Sequence, residues 1–168
     1  LRETETDKIG VTGQKATAKA KTYAGFTYDP NVTGTKTEGT ILGNGSLVLK
    51  LYYRRNSYKV TYEYNNTVAG ASTLPAEASY KYGEDVNVAG VATAPGYTFS
   101  GWKTDDATVS NGKFEMPAKN VKLVGEFTAN SNTKYTVEHY VENLEGIGYT
   151  LRETETDKIG VTGQKATA

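Results

Sequence analysis

One 18-residue sequence occurs twice in this chain, and that repeat constrains its fold more than any other feature. Residues 1–18 are identical to residues 151–168, at an offset of 150 residues. An identity of this length indicates a tandem array of near-identical units, because it includes Glu, Thr and Lys residues of the kind found at solvent-exposed positions. We therefore expect the chain to begin and end inside a unit, and to consist of small modules.

The composition favours β-structure. The 168 residues include 13 Tyr, 4 Phe and one Trp, and 37% are hydrophobic. Tyr, Thr and Val suit small pleated layers in which rings lie half in the core. We predict a mainly β fold, α+β at most. Residues 14–22 are rich in Ala and Lys, but this segment is too short for an independent helix, and extended or irregular structure is the alternative.

Charge and cysteine content exclude several classes of protein. Lys and Arg total 19, as do Asp and Glu, and no basic stripe stands out, so nucleic acid and anionic membrane are excluded as expected partners. No apolar run approaches the length of a membrane span. The absence of Cys excludes a disulfide framework and a thiol nucleophile.

Two related modules share the 150-residue period. Each has an opening strand with alternating apolar residues, a second extended segment that ends at Gly, a Gly-aromatic-Thr-aromatic motif and an alternating closing strand. In one module these segments are residues 135–140, 4–13, 25–28 and 46–53, and in the other they are residues 58–64, 78–83, 96–99 and 120–127.

These segments resemble known repeats of Gram-positive surface proteins. Residues 135–140, Tyr-Thr-Val-Glu-His-Tyr, and residues 25–27, Gly-Phe-Thr, resemble the MucBP (mucin-binding protein) repeat. Residues 95–102, Pro-Gly-Tyr-Thr-Phe-Ser-Gly-Trp, and residues 116–121, Met-Pro-Ala-Lys-Asn-Val, resemble the internalin B-repeat and the related SHIRT repeat.

The resemblance implies tandem small β-grasp-like modules in a linear array. Residues 1–56 would be a MucBP-like module that lacks its first strand, residues 57–133 a B-repeat/SHIRT-like module, and residues 134–168 the start of the next MucBP-like module. It also implies that the first and last strands of the second module, residues 58–64 and 121–127, lie side by side and parallel.

Candidate sites are few. The lone His139 has no Cys or second His beside it in the sequence, so we expect a cross-strand structural role and predict no catalytic, cofactor or metal site. Asp105-Asp106 and Glu84-Asp85 lack the spacing of a Ca²⁺ loop and suggest solvated acidic turns. Possible ligand-contact residues are Trp102, Tyr62 and Tyr64, for which the alternative is packing in the core.

We expect no enzyme. The favoured hypothesis is the stalk of a bacterial adhesin, extracellular and attached to the cell wall of a Gram-positive bacterium, which projects a distal binding domain and bears load. The alternative is a multivalent repeat that binds host glycan or mucin. Expected partners are neighbouring repeats. In a crystal, residues 135–168 of one chain are expected to complete the module that begins at Leu1 of the next, head to tail.

The sequence also predicts the core. In the N-terminal module we expect Phe26, Tyr28, Leu49 and Leu51 to hold most of the buried area. In the second module the expected core residues are Tyr97, Phe99, Trp102, Leu123 and Phe127.

Overall fold

The computed structural model describes residues 3–167, so the parts of the predicted repeat at Leu1, Arg2 and Ala168 lie outside the described residues. These residues form β-strands and no helix, which confirms the mainly β prediction. Residues 14–22 therefore contain a short strand and no helix. The strands are β1 (Lys15–Thr17), β2 (Phe26–Tyr28), β3 (Glu38–Thr40), β4 (Tyr53–Arg55), β5 (Ser57–Tyr64), β6 (Ala78–Lys81), β7 (Asp85–Asn87), β8 (Tyr97–Phe99), β9 (Lys113–Glu115), β10 (Val121–Gly125), β11 (Phe127–Ala129), β12 (Thr133–Glu142) and β13 (Tyr149–Gly160).

The largest sheet of residues 57–133, the central module, has the order β10-β5-β6. β5 pairs in parallel with β10, from Val60 opposite Val121 to Tyr64 opposite Gly125, and antiparallel with β6. The predicted parallel neighbours are therefore confirmed. Alternation along both strands places Val60, Val121 and Leu123 in the core, each at most 2% exposed.

The core of the central module only partly matches the prediction. Leu123 and Phe127 are buried as expected, whereas Tyr97, Phe99 and Trp102 are half-buried and pack around the core. The buried residues that the prediction missed include Met116, Phe114 and Val86, which lie in or beside the short strands β7 and β9. Strands of three residues are too short to show an alternating pattern, so their inward-facing positions cannot be recognised from the sequence.

The N-terminal module, residues 3–56, repeats part of this plan. Its β1–β3 and β2–β4 pairs are antiparallel, as are the β7–β9 and β8–β11 pairs of the central module. Lys36 and Lys50 exchange two backbone hydrogen bonds of 2.8 Å, and Lys103 and Val124 exchange two of 2.9 and 2.8 Å. Residues 47–51 therefore occupy the place that β10 has in the central module.

The prediction of a strand at residues 46–53 is wrong over most of its length, because only Tyr53 lies in a strand, β4. A strand needs a partner, and the described residues supply none in the position that β5 takes beside β10. Among residues 3–56 only Gly25 is buried, so the described residues of this module form no closed core. The four residues expected to form this core are half-buried: Phe26, Tyr28, Leu49 and Leu51.

The remaining sheet is the C-terminal hairpin, in which β12 pairs antiparallel with β13. Its register shifts between Tyr135 and Val137, where the opposite strand carries an extra residue. Asp157 takes up this bulge with a positive φ of 58°. No residue of the hairpin is buried among those described, so both faces of this sheet meet solvent.

Candidate functional site: the joints between modules

A compact joint connects the N-terminal module to the central one. Asn56 donates its backbone N–H to Gly25 O at 2.9 Å, and its side-chain oxygen accepts the Thr27 hydroxyl at 2.7 Å. Its carbonyl accepts the N–H of Tyr82, which lies in the turn after β6, at 2.8 Å. One asparagine thus holds the Gly-aromatic-Thr-aromatic motif on one side and the next module on the other.

The same joint recurs between the central module and the C-terminal hairpin. Asn130 donates to Gly96 O at 2.9 Å and accepts the Thr98 hydroxyl at 2.7 Å. Its carbonyl accepts the N–H of Thr162, in the turn after β13, at 2.9 Å. The two joints agree within 0.1 Å in all three bonds, although the residue in the turn is Tyr at one and Thr at the other.

Glycine is required where the turn meets the preceding module. Gly25 and Gly96 have φ values of 77° and 79°, which L side chains rarely adopt. A Cβ at Gly25 would collide with the Tyr82 ring, and one at Gly96 would lie 2.6 Å from the Thr162 hydroxyl. The close approach at each joint therefore depends on the absence of a side chain.

The first joint has additional contacts. The Phe26 and Tyr82 rings meet edge to face with centroids 5.6 Å apart. Arg55 donates to Tyr82 O at 2.6 Å, and its guanidinium carbon lies 5.2 Å from the centre of the Phe26 ring. The hydrogen bond to the Tyr82 carbonyl and the Phe26–Tyr82 ring contact thus cross the joint, while the cation–π contact holds Arg55 against Phe26 within the N-terminal module.

The three predicted ligand-contact residues lie together on the central module. Trp102 donates its indole N–H to Gly90 O at 2.9 Å and stacks on Tyr64 with centroids 5.5 Å apart. Tyr62 meets Trp102 edge to face at 4.9 Å, and its hydroxyl accepts the Ala89 N–H at 3.0 Å. All three rings are half-buried, so packing engages much of their surface, and ligand contact by them stays a prediction.

The acidic turns have protein partners. Asp106 accepts the Lys119 ammonium at 2.8 Å and the Lys122 N–H at 3.1 Å, and these bonds, Lys119 first, hold the pKa of its carboxyl below the ordinary value. Glu84 accepts the Lys81 N–H at 2.8 Å. Within residues 3–167 no group of three His, Asp or Glu side chains is placed to hold a metal ion.

His139 joins the two strands of the C-terminal hairpin. Its Nε2 lies 2.9 Å from a carboxylate oxygen of Glu155 on β13, which is the cross-strand role expected from the sequence. The pKa of Glu155 lies below the ordinary value because Lys158, and after it His139, hydrogen-bond the carboxylate.

The glycine motif is recognisable in the sequence, but its partners at the joints, Asn56 and Asn130, are not. In the sequence both are polar residues in short connections, a position that by itself indicates no contact between modules. A usable signal was present, because an asparagine follows each closing strand and a Gly follows Tyr82 and Thr162 in the turn of the next module. Only the fold brings these distant positions together.

Strand pairing and joints together define a protein built from repeated small β modules. Residues 58–131 match the family described as Divergent InlB B-repeat domain, and they form an internalin B-repeat-like surface module. This family occurs in extracellular surface proteins, which fits the extracellular location expected from the sequence. The described part of the chain has no helix that could span a membrane. No curated protein and no solved structure matches the chain.

Proposed function

We propose that the chain is part of the stalk of a cell-wall-anchored adhesin of a Gram-positive bacterium, where it projects a distal binding domain and bears load. The observation that carries this proposal is the joint, built with the same three hydrogen bonds at Asn56 and at Asn130. A joint of fixed geometry, repeated along a chain, sets a constant angle between neighbouring modules. The MucBP-like and SHIRT-like assignments belong to this proposal.

The parallel pairing of β5 with β10 supports the load-bearing part of the proposal. These strands lie near the two ends of the central module, so tension on the chain pulls them past each other. Their ladder is then loaded all at once, and the barrier to forced unfolding depends on the unfolding rate rather than on equilibrium stability. A module with no disulfide gains mechanical resistance in this way.

Small-angle X-ray scattering tests the stiffness of the joints. We expect the maximum dimension of tandem arrays to rise linearly with the number of repeats, whereas a flexible chain grows roughly as the square root of its length. Gly25→Ala and Gly96→Ala should broaden the distance distribution, because the added methyl group forces the joint apart. Gly45→Ala is the matched control: Gly45 also has a positive φ of 70°, but no atom lies within 4 Å of its Cβ position.

Square-root growth, or an equal response to all three substitutions, would rule out a stiff spacer. A glycan array supplies the second comparison. Specific binding of mucin glycans by the chain, lost on substitution of Trp102, would favour the multivalent binding repeat instead.

A further inference from the structure

The parallel ladder between β5 and β10 ends before the chain leaves the central module. Its last pairing places Tyr64 opposite Gly125, and the Asn65 N–H donates to Gly125 O at 2.8 Å. The chain then continues through β11 to the joint at Asn130. Tension that leaves the module through this joint therefore reaches β11 before it reaches β10.

One side chain attaches β11 to the segment that follows β5. The Asn66 amide N–H donates to Phe127 O at 2.7 Å, and the amide oxygen of Asn66 accepts the Phe127 N–H at 2.9 Å. A residue of a neighbouring antiparallel strand would make the same pair of bonds. The side chain of Asn66 thus takes the place of a strand residue just beyond the end of β5.

These two bonds lie in a part of the module that is largely shielded from water. Phe127 is 3% exposed and Asn66 is half-buried. The Phe127 ring also packs against the Tyr64 ring of β5, with centroids 5.1 Å apart. Buried backbone groups need hydrogen-bond partners, so loss of the Asn66 amide would leave both groups of Phe127 unpaired.

The opposite end of the ladder also has a side-chain bond. Asn120 directly precedes β10, and its amide oxygen accepts the Lys59 N–H at 2.9 Å. This bond lies one residue before the first pairing of the ladder, between Val60 and Val121. Asn120 is exposed and adds one bond where Asn66 adds two, so the ladder is extended at both ends, and more strongly at Asn66.

We propose that Asn66 is the mechanical lock of the central module, the side chain that couples its last strand to its first where tension leaves the module. This inference rests on the load-bearing function proposed above and names a residue that carries the load. Bonds between antiparallel neighbours lie perpendicular to the strands, so a pull along β11 shears both bonds of Asn66 together. They must break before β10 can slide along β5.

Single-molecule pulling on the natural chain and on Asn66→Leu tests the lock. Leucine has a similar size but makes neither bond, so we expect the unfolding rate of the central module at a fixed force to rise roughly tenfold or more. The released length of residues 57–130 identifies this event. Asn65→Leu is the matched control: the exposed Asn65 amide lies 3.5 Å from a Glu126 carboxylate oxygen, and its loss should leave the rate nearly unchanged.

Unfolding of the same variants in urea separates a lock from a residue that only stabilises the fold. A residue of the second kind should raise the unfolding rate by the same factor in urea and under force. A lock should raise it by a larger factor under force, because tension on the chain ends loads the Asn66 bonds directly. Equal factors in the two experiments would overturn the proposal.

Asn66→Asp provides a reversible test, which also serves if the leucine variant does not fold. Near neutral pH the new carboxylate accepts the Phe127 N–H but cannot donate to Phe127 O, so the module should unfold at lower force than the natural one. At acid pH the protonated carboxyl has a donor and an acceptor and should restore both bonds. The natural chain at both pH values accounts for other titrating groups. Equal weakening at both pH values would contradict the paired bonds.

The natural chain itself separates failure of the lock from failure of the proposed stalk. If its central module resists high force and Asn66→Leu resists equally, the lock is wrong and the load-bearing function stands. If the natural module unfolds at the low forces typical of peeled antiparallel hairpins, the load-bearing function is wrong and the lock is wrong with it.

Discussion

The two copies of the repeated sequence form different strands. In the first copy residues 15–17 form β1, while residues 3–10 belong to no strand. In the second copy residues 153–160 lie in β13, while residues 165–167 belong to no strand. Each copy forms the strand for which the chain supplies a partner: β3 pairs with β1, and β12 pairs with β13.

Local conformation, in contrast, is the same in both copies. Asp7 and Asp157 have φ values of 56° and 58°, although only the second has a strand opposite. The turn bond from Gln14 N–H to Val11 O is 3.1 Å in the first copy, and its equivalent in the second copy is also 3.1 Å. Interactions over three residues are therefore determined by the sequence itself, whereas strands depend on a partner elsewhere.

Mechanical strength should show the largest difference between paired and unpaired segments. Leu123→Pro removes a backbone donor from β10 and should sharply lower the force at which the central module unfolds. Leu49→Pro makes the same change in residues 47–51, which belong to no strand and are bridged to Lys36 through Lys50, and should leave that force unchanged. Single-molecule pulling on the chain measures both variants. Unfolding of the natural central module at the low forces typical of peeled antiparallel hairpins would contradict the shear geometry.

The loss of equilibrium stability should also be larger for a substitution in the paired strand β10 than for one in residues 47–51, but the difference should be smaller than for mechanical strength. Leu123 is fully buried, so Leu123→Ala should lower the free energy of unfolding of the central module by about 2–5 kcal/mol. Leu49→Ala removes the same atoms from a half-buried position, and should cost well under that. Urea denaturation followed by Trp102 fluorescence measures the first variant, and hydrogen exchange of the β2 and β4 amides measures the second. Similar losses for the two leucines would show that the N-terminal module is already closed.

These contrasts also define how far sequence alone could predict the fold. Alternating apolar residues identified β5, β10 and β12, and the family resemblance implied the parallel pairing. The same alternation predicted a strand at residues 46–53, for most of which the described residues supply no partner strand. Periodicity reports which face of a segment is apolar, but it contains no information about whether a neighbouring strand exists. The joints were missed for a related reason, since their hydrogen bonds connect residues far apart in sequence.

The two joints should respond alike, and independently, to removal of one hydrogen bond. Thr27→Val and Thr98→Val each remove the hydroxyl donor to an asparagine side chain while keeping the shape of the residue. The expected loss at each joint is about 0.5–1.5 kcal/mol. Hydrogen exchange should become faster for the Tyr82 amide in the first variant and for the Thr162 amide in the second. Faster exchange at both joints in either single variant would show that the joints do not act separately.

The smallest difference should be in the pKa values of Glu5 and Glu155. These two residues occupy the same position of the repeat but have different neighbours in the two copies. Lys21, and after it Lys8, lower the pKa of Glu5 from 4.5 to about 2, whereas Lys158 and His139 lower that of Glu155. A lowered folded-state pKa stabilises the folded form above the unfolded-state pKa, and this contribution is lost as pH falls from about 4.5 towards 2 for Glu5. Both carboxylates are exposed, so salt should weaken the effect. Lys21→Ala should raise the pKa of Glu5 towards its ordinary value and leave Glu155 unchanged, as followed by NMR titration of the side-chain carboxyl carbons. An equal rise at both glutamates would mean that the repeated sequence, rather than the surroundings of each copy, determines these pKa values.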